Sequence, residues 1–260
     1  MSSASQRVRM PAVALDWMLS HCVRDERDVL VMGTGKSQIN ELLVRGHQVW
    51  ALSDQQRLAS LADNAQITRL NASSRLALLA AEHDALPLRD CSMDLALCIS
   101  LRHPLSPRGV SELARVLRPS GYVSGARLVR DETVPWVQRL IALMQAASPA
   151  AMTPIGQDDV LQSFVASQHF DQLSSRNFRI WTEISRTGLI EMALRSVHDA
   201  ALTADQLNRL SRDVGQLYDG AAGPSGLRLP YQLQAWRLSV DHSELTTPVG
   251  LRDDGLRIVL

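Results

Sequence analysis

The stretch VLVMGTGKSQ, residues 29–38, indicates how the first half of this chain folds. Four apolar residues run directly into two glycines, the chain's single lysine and a serine, a pattern typical of a buried strand that turns into a helix. The end of the stretch fits a phosphate loop, G-x-x-x-x-G-K-[ST], but the first glycine of that motif would have to be residue 30, which is leucine. The loop is therefore too short to wrap a nucleoside triphosphate.

The other interpretation is a tight turn of the Rossmann type between a strand and a helix. Gly33 and Gly35 give the pattern G-x-G-x-S, in which the glycines let the backbone turn sharply and let a ligand approach the N-terminus of the next helix. Taken alone, the pattern fits an ordinary turn that binds nothing equally well.

Short apolar runs alternate with helical patterns through the first half of the chain. This spacing predicts right-handed crossovers and an α/β fold: a Rossmann-like, mostly parallel sheet of seven strands with helices on both faces. Five of the strands are predicted at 28–32, 47–52, 67–70, 93–99 and 121–129, with helices between them at 37–45, 55–63, 73–80 and 107–118.

The sequence pattern of the second half of the chain predicts further helices and the last two strands. One helix begins at Thr203, where Gln206 three residues later completes a capping box. The chain after residue 240 is expected to form a tail or a small hairpin around the sequence RDDG. The other helices are predicted at 132–146, 157–167 and about 187–197, the strands at 175–183 and 231–239, and a turn-rich loop at 219–229.

The composition limits the partners of the protein. Its 27 basic and 27 acidic residues cancel, so the basic surface that nucleic acid requires is not expected. No apolar run is long enough to cross a bilayer, and the first residues lack the apolar segment of a secretory signal. Cys22, Cys91 and Cys98 lack metal-ligand spacing and are expected to be reduced, buried thiols of a cytoplasmic protein without a metal site.

Two later motifs carry a family resemblance. EHDALPLRDCSMDLALC (82–98) and ELARVLRPSGYV (112–123) resemble class I S-adenosylmethionine-dependent methyltransferases of the type 11 group. The patterns of that group run A-x-x-L-P…D-x-S-F-D-L-V and then E-I-A-R-V-L-R-P-G-G. The segment LVRDETVPWVQRL (128–140) and later runs continue the resemblance, which spans roughly residues 8–238.

The resemblance implies a single domain over residues 1–240. Its cofactor-binding core would cover 1–130, a lid or specificity region with the last strands would cover 131–230, and a C-terminal tail would follow at 241–260. Three aromatic residues of the second half are candidates either for an apolar acceptor pocket or, as is more usual, for core packing: Trp136, Phe178 and Trp181.

The resemblance also implies where S-adenosylmethionine would bind. The glycine loop after strand 1 would hold the methionine end, because glycines let backbone N–H groups approach a carboxylate closely. Ser37 stands where the family usually has its third glycine, and Val31 stands where it usually has an acidic residue; Val31 is expected simply to pack in the strand. The loop comprises Gly33, Thr34, Gly35 and Ser37.

The ribose and adenine positions follow the next two strands. Ser53 occupies the place of the family's ribose-binding acid, and Asp54 either takes over that role or caps the next helix. Glu82 and His83 match the pair that reads adenine, although Glu82 could equally be a solvated loop charge. Ile99, at the end of strand 4, completes the cofactor site.

One histidine is a candidate for the acceptor side. His103 lies where related sequences show W-H-W, and it would orient the acceptor or take its proton; a surface loop histidine is the alternative. Its neighbours Arg102 and Pro104 replace the aromatic residues. Asp94, at the start of strand 4, is predicted to have a structural role.

Two hypotheses about function result. The first is S-adenosylmethionine-dependent methyl transfer to an unidentified small molecule. The second is a catalytically inactive methyltransferase-like protein that binds the cofactor weakly or not at all and serves as an interaction module, which the departures at Val31, Ser37 and Ser53 would suit. A homodimer or a protein partner is compatible with either hypothesis.

Overall fold

The computed structural model describes residues 10–20, 26–33, 36–53, 55–70, 74–99, 101, 103–149, 157–197, 202–224 and 226–243. Its centre is a seven-stranded sheet in the order β3-β2-β1-β4-β5-β7-β6. The first five strands of this order are parallel to one another, and β7 is antiparallel to both of its neighbours. This confirms the predicted fold class. The strands are β1 Asp28–Met32, β2 Gln48–Leu52, β3 Leu76–Leu79, β4 Met93–Ile99, β5 Leu117–Arg130, β6 Phe170–Ile184 and β7 Leu227–Val240.

Helices cover both faces of the sheet. One apolar core lies between the sheet and α1, α2, α3 and α4, and a second lies between the opposite face and α5 and α7. A third apolar cluster joins α6, α8 and α9. The helices are α1 Ala12–Leu19, α2 Lys36–Val44, α3 Gln55–Ala62, α4 Ala65–Leu70, α5 Pro107–Val116, α6 Pro135–Ala147, α7 Gln157–Val165, α8 Arg186–Ser196 and α9 Ala204–Ala221.

Two predicted elements are wrong. The strand expected at 67–70 belongs to helix α4, because the side chain of Asn64 accepts a hydrogen bond from the Ile67 N–H at 3.1 Å and starts a helix there. The helix expected at 73–80 is instead strand β3, whose Leu76–Leu79 pair in parallel with β2. Leucine and alanine favour helices locally, and pairing within the sheet overrides that preference.

Local capping signals predict the starts of α5 and α9, whereas α1 was not predicted and neither α1 nor α6 has a side-chain cap. The Ser106 hydroxyl accepts a hydrogen bond from the Gly109 N–H at 3.0 Å at the start of α5. Thr203 and Gln206 form the predicted capping box at the start of α9. The turn-rich loop is shorter than predicted because α9 continues to Ala221 and β7 begins at Leu227. The hairpin predicted around 252–255 lies outside the described residues.

An ionic cluster joins three strands where they begin. Asp94 is 3% exposed, and its carboxylate accepts a hydrogen bond from the Asp28 N–H at 2.8 Å and pairs with Arg118 Nη1 at 2.6 Å. Arg118 Nη2 also donates to Asp28 Oδ2 at 2.8 Å. The structural role predicted for Asp94 is confirmed: it fixes β1, β4 and β5 at the edge opposite their carboxyl ends.

The thiols differ from one another. Cys98 is buried in β4, and burial raises the pKa of its thiol to about 12. Cys91 is exposed in the turn before β4, so the expectation that it is buried is wrong. Cys22 lies outside the described residues. None of the described helices combines the length and apolarity that a membrane span needs.

Candidate functional site

The strand order places a crevice at the carboxyl end of β1. Within the sheet, β2 and β3 lie on one side of strand β1, whereas β4 and β5 lie on its other side. The loops that follow β1 and β4 therefore leave the sheet in opposite directions. Ligands of open α/β sheets bind at such a switch point.

Gly33 occupies this switch point and could not be another residue without strain. Its φ is +70°, a left-handed conformation that favours glycine. A Cβ at this position would lie 2.7 Å from Leu101 Cδ2 and 3.1 Å from the Ile99 carbonyl oxygen. The start of the predicted glycine loop is thus packed closely against the residues that end β4.

Leu101 is the site residue that sequence reasoning missed. It is partly buried and packs on the core beneath α5 while its side chain lies against Gly33. Its only signal in the sequence is an apolar residue two positions after the end of β4. The Ile99 side chain is 5% exposed and packs in the core beneath α1 and α2, so Ile99 faces the crevice through its backbone.

The rest of the first loop leads into α2. Thr34 and Gly35 lie outside the described residues, and α2 begins at Lys36. Ser37 is exposed in the first turn of this helix, where its hydroxyl donates to Gln38 Oε1 at 3.0 Å. Val31 is 1% exposed between β2 and β4, which confirms that it packs in the strand.

The ribose position continues the sheet. Ser53 is half-buried directly after β2, and its N–H donates to the Leu79 carbonyl oxygen at 3.2 Å. Ser53 therefore stands at the same edge of the sheet as Gly33, one strand away. Asp54 lies outside the described residues, so neither its ribose role nor its capping role is tested.

The predicted adenine position is a loop held by α5. Glu82 and His83 are exposed after β3, and the neighbouring Asp84 accepts a hydrogen bond from the Ser106 hydroxyl at 2.6 Å. A Cβ on Gly109 would lie 3.0 Å from Asp84 Oδ1 and 3.5 Å from His83 Cβ, so the first turn of α5 packs directly on this loop.

The pKa of His83 is shifted. Enough of its imidazole is covered to lower its pKa below the ordinary histidine value, against the opposing charges of Asp84 and Glu82. A lowered pKa favours the neutral imidazole, which can face a nucleobase without burying a charge.

The motif ELARVLRP secures the same loop further along. Glu112 Oε2 accepts from the Leu86 N–H at 3.0 Å, and Arg115 donates to the carbonyl oxygens of Leu86 at 3.1 Å and Leu88 at 2.9 Å. The hydrogen bond from Arg115, 2.8 Å from Nη2 to Oε2, lowers the pKa of Glu112. These hydrogen bonds join the two motifs of the sequence in space.

The acceptor-side residues are more scattered. His103 and Pro104 are exposed in the loop between β4 and α5, and Arg102 lies outside the described residues. The three aromatic candidates do not form one pocket. Phe178 is 8% exposed in the core, Trp136 packs among α6, α8 and α9, and Trp181 is 52% exposed. Among the residues that the structure describes, no three His, Cys, Asp or Glu side chains are placed to hold a metal ion.

Comparison with known proteins agrees with this geometry. Residues 30–124 match the family described as "Methyltransferase domain". The match runs from β1 through β4 to the start of β5, and the seven-stranded sheet around these strands is the fold of the solved structures described below. The matched range is narrower than the span over which the sequence resembles the type 11 group.

Relatives and solved structures extend the comparison beyond these residues. An uncharacterized methyltransferase of Mycobacterium tuberculosis is 32% identical over 136 residues, which are 52% of each chain. The chain thus spans about half the length of the curated relatives that it matches. A structure assigned as a type II methyltransferase from Anaeromyxobacter dehalogenans aligns with a TM-score of 0.62 and 17% identity, covering 90% of this chain and 97% of that one. A structure from Bacillus halodurans, also assigned as a methyltransferase, aligns with a TM-score of 0.51 and 14% identity. The alignment covers 88% of this chain and 98% of that one.

Proposed function

We propose that this chain transfers the methyl group of S-adenosylmethionine to a small-molecule acceptor at the carboxyl edge of its sheet. The observation that carries the proposal is the turn at Gly33, whose φ of +70° and close approach to Leu101 lie at the switch point between β1 and β4. A glycine turn at that point, followed at once by a helix N-terminus, is suited to a compact anionic group attached to a nucleoside.

The cofactor would be held in three parts. Backbone N–H groups of the loop from Gly33 to Ser37 would meet the methionine carboxylate, and Ser53 with Asp54 would meet the ribose hydroxyls. Glu82 would accept from the adenine amine, and the neutral imidazole of His83 would cover the base. Val31 cannot supply the acidic group usual in the family, so the ammonium end has to be held by other groups, such as backbone carbonyls at the end of β4.

Methyl transfer requires little acid–base catalysis by the protein. S-adenosylmethionine supplies a methyl group already activated on a sulfonium; the acceptor's bond to that carbon forms as its bond to sulfur breaks, and a neutral thioether leaves. The residues of the crevice must therefore align the acceptor and exclude water. We propose that His103, exposed after β4, orients the acceptor or takes its proton.

The region after β5 would select the acceptor. Helices α6, α8 and α9 share an apolar cluster that includes Leu227 of β7, and α6 also packs on Leu229 of β7. We propose that these helices cover the acceptor, which would let one cofactor crevice serve different small molecules.

Cofactor binding tests the proposal directly. With S-adenosylhomocysteine at a hundredfold excess over its Kd, a single site stabilises the native state by about 2.7 kcal/mol, which corresponds to a rise in Tm of roughly 5–10 °C for a chain of this size. Calorimetric titration of the full chain gives the Kd. Absence of both the Tm shift and a binding heat would refute methyl transfer and favour the inactive interaction module.

A charge-removing pair of variants locates the site. Glu82→Gln should weaken binding by about tenfold, since one charge-assisted hydrogen bond to the adenine amine contributes roughly 1.5 kcal/mol. Asp63→Asn removes an equally exposed charge at the end of α3, the helix terminus farther from the crevice, and should leave the Kd unchanged. Equal affinity in both variants would place the ligand elsewhere.

A further inference from the structure

The outer edge of the sheet is a long strand with one free side. Strand β6 pairs with β7 from Phe170 opposite Val240 to Ile184 opposite Leu227, and no other described strand pairs with it. At 15 residues it is well above the usual strand length. Long edge strands with unpaired backbone groups are templates for pairing with another strand.

The direction of the backbone groups of β6 can be read from Pro230. The Pro230 carbonyl oxygen accepts a hydrogen bond from the Asp131 N–H at 3.1 Å, on the β5 side of β7. In an antiparallel pair the N–H and C=O of one residue point to the same neighbour. Trp181, opposite Pro230, therefore sits at a position of the β6–β7 pair without hydrogen bonds, and its N–H and C=O point to the free edge.

The alternation of the strand extends this result to its neighbours. Arg179 and Glu183, two residues on either side of Trp181, also direct their N–H and C=O outward. Their side chains and that of Trp181 lie on one face and are exposed by 66%, 73% and 52% respectively. Phe178 and Ile180 point to the opposite face, where they pack on the core beneath α1.

We propose that β6 pairs with β6 of a second copy of this chain, antiparallel and about a two-fold axis at Trp181. Such an axis, perpendicular to the sheet, places the two Trp181 residues opposite each other. It also places Arg179 opposite the partner's Glu183, and Glu183 opposite the partner's Arg179. One continuous sheet of fourteen strands would result, closed by a pair of identical surfaces.

The charges select this register from its neighbours. An axis at Arg179 or at Glu183 would place like charges opposite each other. An axis at Ile180 would place Arg179 opposite the partner's Trp181. An axis at Thr182 would place Glu183 opposite the partner's Trp181. The axis at Trp181 forms two opposite-charge pairs across the strands, and such pairs stabilise a sheet.

The remaining features of the strand allow this pairing. Arg179 lies 3.4 Å from Asp131 and Glu183 lies 3.5 Å from Arg228; both contacts are long, so these side chains can also reach a partner. A bulge between Asp171 and Ser174, with a φ of 53° at Gln172, bends the other end of the strand away from flat pairing. The interface is therefore confined to the second half of β6.

Charge reversal and its repair test the proposal. By sedimentation at micromolar concentration, the full chain should have about twice the 28.7 kDa mass of one copy. Arg179→Glu alone and Glu183→Arg alone each create two like-charge pairs and should raise the dimer dissociation constant at least about tenfold. The double variant restores opposite charges at both places and should again form a dimer. Arg195→Glu on α8, an equal charge change away from the edge, should dimerise like the original chain.

Hydrogen exchange gives a second readout, which contains its own control for the folding of each variant. The Trp181 N–H points outward, so it should be protected in the dimer and should exchange rapidly in the Arg179→Glu variant, while the N–H of Ile180, bonded to β7, stays protected in both. A monomeric original chain, a dimer indifferent to either single reversal, or a double variant that stays monomeric would each overturn the proposal. None of these outcomes depends on cofactor binding.

Discussion

Ser106 joins two loops of the crevice through Asp84. Its hydroxyl donates to Asp84 Oδ1 at 2.6 Å and accepts from the Gly109 N–H at 3.0 Å, so a single side chain caps α5 and holds the loop that carries Glu82 and His83. The loop predicted to bind adenine is therefore held by the helix that follows β4, and not by β3 alone.

Replacement of Ser106 should separate these two roles. Ser106→Ala should lower the free energy of unfolding by about 1–2 kcal/mol through loss of the cap, and should weaken S-adenosylhomocysteine binding several-fold because the loop is released. Ser185→Ala is the matched control: Ser185 caps α8 through the Gly188 N–H at 3.1 Å, away from the crevice. It should show the same loss in a denaturant titration with an unchanged Kd. Equal effects on Kd would contradict the anchoring role.

Gly125 in β5 leaves room for an aromatic ring of β7. A Cβ there would lie 2.2 Å from Trp236 Cζ2, and Trp236 in turn packs on Phe164 of α7 with the ring centroids 5.4 Å apart. Gly125→Ala should therefore destabilise the protein by about 1–3 kcal/mol, as overpacked cores do. Gly220→Ala in α9, where a Cβ meets nothing within 4 Å, should instead stabilise it by up to about 1 kcal/mol. Thermal unfolding of the two variants measures the contrast, and equal Tm values would refute it.

A buried histidine should make stability fall in acid. His47 is 5% exposed, and burial, with the charges of Arg27 and Arg45, lowers its pKa below 6.5. Below that pH the unfolded chain binds a proton that the folded chain resists, so stability is complete above pH 6.5 and declines as the pH falls toward the folded pKa.

The pH dependence of unfolding tests this role of His47. Free energies of unfolding measured between pH 8 and pH 5 should fall less steeply for His47→Gln than for the original chain, and an unchanged slope would contradict the prediction. His83, whose pKa is also lowered, contributes in the same direction, so a residual slope is expected in His47→Gln.

The elements that sequence predicted are those with local signals. Ser106 and Thr203 mark the starts of their helices through residues three positions away, and the apolar run of β4 is visible without a structure. Strand β3 was not predictable because Leu76–Leu79 are helix-forming residues whose state depends on pairing with β2. The crevice divides in the same way. The glycine turn is visible in the sequence, whereas the contacts of Leu101 with Gly33 and of Ser106 with Asp84 arise only when distant segments meet.

The turn at Gly33 supplies the sharpest test of the crevice. Gly33→Ala adds left-handed strain of about 1 kcal/mol and also forces a Cβ to 2.7 Å from Leu101 and 3.1 Å from the Ile99 carbonyl oxygen. The loop after β1 must then move, so binding of S-adenosylhomocysteine should weaken by at least about tenfold. Gly46→Ala is the matched control, since its φ is +86° and its Cβ would meet only the flexible end of Arg75 at 3.3 Å. It should lose similar stability and keep the original Kd.

Removal of the facing side chain completes this test. In Gly33→Ala with Leu101→Ala the contact at 2.7 Å is gone, while the contact with the Ile99 carbonyl oxygen at 3.1 Å remains. Calorimetric titration should therefore show affinity recovered in part but not fully. Full recovery would mean that Leu101 alone sets the position of the loop. Binding by Gly33→Ala equal to that of Gly46→Ala would mean that the cofactor does not lie against this turn, because a ligand seated on its backbone N–H groups must respond when the turn is displaced.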